Sequence, residues 1–163
     1  MNKKKIIIIV VAALLVLALV AGALYLCFAP GEFGRARWGM TVDQVKSRQS
    51  GDPINEEYSS ISYKLTSLEG LDFDSTAFYN FDPETKKLTH VSIGLETMGF
   101  NNKKIARLIS ILEEKYGEPE KSEVAEIRYT YKWETKRTRI IVKQLSSYTL
   151  VVYQDVTIPE EAE

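Results

Sequence analysis

Apolar positions fall into two regimes along this chain: an unbroken run near its start, then segments where they recur every second or every third to fourth residue. The run is Ile6 to Ala29, uncharged throughout and preceded by Lys3, Lys4 and Lys5. As a helix it would reach roughly 36 Å, enough to cross a hydrocarbon core of about 30 Å with some tilt. Residues 1–29 therefore read as a signal-anchor, a single-pass transmembrane helix. The lysines place its N-terminus in the cytoplasm and the C-terminal domain outside the cell membrane. A cleaved signal peptide is the competing reading, with Ala21-Gly22-Ala23 as the cut site, and lipidation at Cys27 is a third. Against these stand the length of the run beyond Ala23 and the bulky Leu26 before Cys27.

After a glycine-rich, charged linker over residues 30–37, the periodic part begins. Thr41 and Gln44 form a capping-box signature, and Val42 and Val45 stripe a helix that stops before Gly51-Asp52-Pro53. Period-two alternation then predicts strands through Ile61, Tyr63 and Leu65, through Ala77, Tyr79 and Phe81, and, after a turn at Asp82-Pro83, through Val91, Ile93 and Leu95. A second helix carries Ile105, Leu108, Ile109 and Leu112 on one face, capped by Asn101 or Asn102 and stopped by Gly117 and Pro119. Strands follow again: Ile127, Tyr129, Tyr131 and Trp133, then Ile140 and Val142, then Tyr148, Leu150 and Val152.

The halves match at a fixed offset, Gly51-Asp52-Pro53 against Gly117-Glu118-Pro119 and Ile61 and Tyr63 against Ile127 and Tyr129. The expected fold is α+β: tandem α-β-β-β units (residues 38–96 and 100–157) forming one antiparallel sheet with two helices on one face. An acidic tail over residues 158–163 closes the chain.

Charge changes the picture modestly. The formal net charge is −1 from 21 basic and 22 acidic residues; without the three N-terminal lysines it becomes 18 − 22 = −4. A mildly acidic domain argues against nucleic acid as a partner. The one cysteine lies in the apolar run, so the domain is held by packing and not by a disulfide.

Gly39-Met40-Thr41-x-x-Gln44-Val45, followed by Gly51-x-Pro53, resembles the motif of the SmpA/OmlA (BamE-like) family of bacterial envelope lipoproteins. The tandem arrangement is similar to the β-lactamase-inhibitor protein architecture. The resemblance implies an extracytoplasmic protein-interaction or assembly module, bound to another envelope protein. The inhibitor architecture implies, as an alternative, a secreted or surface enzyme inhibitor.

No catalytic constellation emerges, and no enzyme, cofactor or metal is expected. His90 sits on the polar phase of a strand, Ser146-Ser147 reads as a turn, and Asp72, Asp74 and Asp82 lack calcium-loop spacing. One surface stands out. If Tyr131 faces Ile140 and Tyr129 faces Val142, with the turn at Thr135-Lys136, then Lys132 opposes Arg139 and Arg128 opposes Lys143. Pairing Val142 with Leu150 brings Tyr153 to the same face, and Lys64 and Phe78 share its phase in the first unit. The candidate site is thus a basic, partly aromatic sheet face, Lys64, Phe78, Arg128, Lys132, Arg139, Lys143 and Tyr153, suited to an acidic protein surface or anionic lipid headgroups.

Overall fold

The structure, a computed structural model, describes residues 11, 14–19, 31–96, 103–123, 129–145 and 147–159. The chain divides into two compact units, Met1–Gly31 and Glu32–Glu163.

In the first unit, residues 14–19 are helical and exposed. Among the described residues no helix is long and apolar enough to cross a membrane. The transmembrane helix expected over Ile6 to Ala29, and with it the signal-anchored, single-pass placement, is therefore not supported. Apart from Val11, the rest of that run, Cys27 included, lies outside the described residues.

The second unit is mostly strand. In chain order it contains α1 (Val42–Lys46), β1 (Asn55–Glu57), β2 (Ser60–Leu68), β3 (Leu71–Phe81), β4 (Leu88–Glu96), α2 (Lys103–Tyr116), β5 (Glu120–Ser122), β6 (Tyr129–Glu134), β7 (Thr138–Gln144) and β8 (Tyr148–Asp155). The eight strands form one sheet in the order β1-β2-β3-β4-β8-β7-β6-β5, every neighbour antiparallel. This corrects the expected fold of two α-β-β-β units behind a membrane helix. The sheet has eight strands, with four following each helix, and α1 is a single short turn-and-a-half that buries only Val45. The two added strands, β1 and β5, are three residues each and exposed throughout, so no apolar alternation announces them.

Local chemistry explains the breaks. Thr41 accepts from the Gln44 amide while Gln44 Oε1 accepts from the Thr41 amide at 2.9 Å, a complete capping box. Gly117 ends α2 at φ +89°, its amide donating to the Glu113 carbonyl. The asparagines expected to cap α2, Asn101 and Asn102, lie outside the described residues.

One core joins the helices to the inner side of the sheet. Ile105, Leu108, Ile109 and Leu112 of α2 and Val45 of α1 pack with Ile61, Tyr79, Val91, Ile93, Ile140, Val142, Val151 and Tyr153. The stretch read as a linker contributes too: Phe33 and Ala36 are buried there, and Phe33 packs against Tyr79 and Tyr153 at ring-centroid distances of 5.9 and 5.0 Å. Trp38 donates from Nε1 to Thr138 Oγ1 at 3.0 Å, a buried bond between residues 100 apart in sequence.

Candidate docking face

Strand β8 (Tyr-Thr-Leu-Val-Val-Tyr-Gln-Asp) is apolar on both phases. Pattern alone leaves open which phase enters the core. The register decides it: Val142 pairs with Val151 and Ile140 with Tyr153. Thr149, Val151 and Tyr153 therefore point inward and are buried, whereas Tyr148, Leu150 and Val152 point outward. This one-residue difference from the expected Val142–Leu150 pairing moves Tyr153 off the candidate face. Its side chain is 2% exposed, with its hydroxyl donating to Glu69 Oε1 at 3.0 Å.

The β6–β7 hairpin differs in a second way. Tyr131 pairs with Val142 and Trp133 with Ile140, a slip of two residues from the expected register. Thr135 and Thr138 close the turn: the Thr135 amide donates to the Thr138 carbonyl and the Thr138 amide to Thr135 Oγ1, leaving Lys136 and Arg137 at its tip. Lys132 then opposes Ile141, Arg139 opposes Glu134, and Lys143 opposes Thr130. The row of like charges facing one another, expected from the sequence, does not form.

The outer face that results is an apolar strip with paired charges around it. Reading across the strands, Ser62, Phe78, Ser92, Val152, Ile141, Lys132 and Glu120 lie in one row. Phe78 is 42% exposed, as is Tyr148, four residues from Val152 along β8 on the same phase, and Val152 and Ile141 are half-buried. The buried side chains of both helices belong to the opposite, inner side. Three expected cations carry carboxylate partners: Lys64 with Asp74 (3.3 Å), Lys132 with Glu120 (3.9 Å) and Arg139 with Glu134 (3.1 Å). Arg128 lies outside the described residues.

One end of this face is occupied by the chain itself. Past β8, Asp155 Oδ1 accepts from the amide and hydroxyl of Thr157, reversing the chain. Arg139 Nη1 then donates to the Ile158 carbonyl and Gln154 Nε2 to the Pro159 carbonyl, each at 3.4 Å.

Comparison with known proteins places no relative beside this geometry. No family model, no curated protein and no solved structure matches the chain. The SmpA/OmlA resemblance rests on its motif residues alone. Two of them, Gly39 and Gly51, occupy positive φ (+80° and +84°), and Thr41 and Gln44 cap α1, so the motif here describes a turn, a cap and a stop.

Sequence reasoning located Lys64, Phe78, Lys132, Arg139 and Lys143 on the outer phase. It missed Tyr148, Leu150, Val152 and Ile141, the apolar residues that dominate the centre and one end. The signal for them was present in β8 as an uninterrupted apolar run, the mark of a strand covered on both faces. Among the described residues no group of three or more His, Cys, Asp or Glu side chains is arranged to hold a metal ion.

Proposed function

We propose that this protein is a docking module that binds a partner protein through the outer face of its sheet. The observation that carries the reading is the strip Phe78, Val152 and Ile141, joined by Leu150 and Tyr148 and lying on the side of the sheet opposite the helices. An antiparallel sheet with one solvated face ordinarily alternates apolar inside and polar outside. A band of aromatic and aliphatic side chains on the solvent phase, rimmed by polar groups, marks an interaction surface. The paired charges favour a protein over an anionic lipid surface, because an approaching headgroup must compete with Asp74, Glu120 and Glu134 for the same cations.

Photo-crosslinking tests this directly. A photoreactive side chain placed at Phe78 is expected to yield discrete covalent adducts with a protein in intact cells. The same group at Arg107, an exposed position on α2, is expected to yield none. Equal labelling from the two positions, or none from Phe78, overturns the reading.

A further inference from the structure

Large and small outward side chains divide along one line of the docking face. β4 presents Ser92 and Gly94 there, and β8 beside it presents Val152 and Leu150 in the same two rows. Gly94 is exposed, its φ lies outside the left-handed region, and a Cβ built on it would meet nothing within 4 Å. Within one chain, neither backbone nor packing calls for glycine, which weakens a strand interior. The strand order is symmetric about the same line. A two-fold axis laid along the seam between β4 and β8 exchanges β4 with β8, β3 with β7 and β2 with β6. Two copies set face to face through that axis place Leu150 of each over Gly94 of the other, and Val152 over Ser92. Phe78 and Ile141, one strand further out in a shared row, meet in the same way. Large against small is the condition for the side chains of two facing sheets to interdigitate. No cation meets a cation: Lys64, Lys132, Arg139 and Lys143 would face Thr130, Ser62, Asn80 and Thr76.

Resting on the docking reading above, we propose that the partner is a second copy of this chain, its sheet packed face to face across a two-fold axis along the β4–β8 seam. Such a contact is isologous, so one self-complementary face serves both sides. Size agrees with this. The six longer strands, β2, β3, β4, β8, β7 and β6, at about 4.8 Å spacing and about seven residues each, present about 25 by 23 Å, or about 600 Å². Two such faces give about 1,200 Å², the lower end of the standard range for a specific interface.

The photoreactive group at Phe78 of the full chain again supplies the probe, now read by the identity of what it captures. The expected adduct has twice the mass of the chain, and mass spectrometry is expected to map the capture to β7 around Ile141 of the other copy. Gly94→Leu sets a large side chain against Leu150 of the other copy and should lower the yield at least about tenfold, the scale of a lost hot-spot contact. Adding Leu150→Ala to that variant exchanges large for small across the axis and should restore the adduct, a recovery that no folding defect produces. An adduct with a different protein would overturn the self-pairing and leave the docking face intact. A dimer adduct undiminished by Gly94→Leu, or one that Leu150→Ala does not restore, would overturn the seam in the same way. The absence of any adduct from Phe78 would remove both.

Discussion

Three tyrosines, Tyr63, Tyr79 and Tyr153, lie in the core of this sheet. Burial pushes the Tyr153 hydroxyl well above its ordinary range, and the Glu69 carboxylate beside it adds to the effect. Burial does the same for Tyr79, reinforced by Tyr63. A folded-state pKa raised above the unfolded value of about 10 means that the fold favours the protonated phenol. Stability from these groups is therefore complete below about pH 10 and is lost as pH rises through their folded values. In an alkaline titration, the tyrosinate absorbance of Tyr153, isolated by subtracting the Tyr153→Phe variant, should appear only together with loss of near-ultraviolet circular dichroism. Its appearance while the dichroism persists would contradict the buried placement. Tyr153 was also the residue least readable from sequence. With Leu150, Val151 and Val152 consecutive, either phase of β8 buries an acceptable set, and only pairing with β7 chooses between them.

At the scale of elements, legibility follows burial. The cores of β2 and β4 were readable because Ile61, Tyr63, Val91, Ile93 and Leu95 alternate with polar residues or glycine, and those of β3 and β7 because the same phase holds there despite the outward Phe78 and Ile141. The β6–β7 register was not, because a slip of two residues keeps every side chain on its own face. The inside-outside pattern cannot distinguish the two registers. The structure adopts the one that sets Arg139 opposite Glu134 and closes the turn through Thr135 and Thr138. Edge strands β1 and β5 escaped notice for the reason that makes them useful edges: they are short, polar and exposed, which discourages pairing with another chain. Replacing Glu56 and Glu57 by Val should remove that protection. Size-exclusion chromatography is expected to show concentration-dependent association of this double variant, and a monomer-like profile at all concentrations would argue that the edge is guarded by something else.

Across the whole second unit, the segment before α1 ties both halves of the sheet together. Phe33 touches Tyr79 from β3 and Tyr153 from β8, Trp38 bonds to Thr138, and Arg137 pairs with Glu32 at 2.7 Å. Its glycines and charges gave it the look of a linker, since a strap with one buried aromatic has no period to reveal it. Phe33→Ala should destabilise the fold by about 3–5 kcal/mol, the usual cost of emptying a buried phenylalanine site. Urea unfolding should shift as one transition, whereas two separated transitions would show that the halves do not depend on the strap. The reversal at Asp155 to Thr157 has a practical corollary. Because Arg139 and Gln154 hold the carbonyls of Ile158 and Pro159, these two residues lie against the docking side of the sheet. A bulky label attached at Pro159 would obstruct the very surface it was meant to report on.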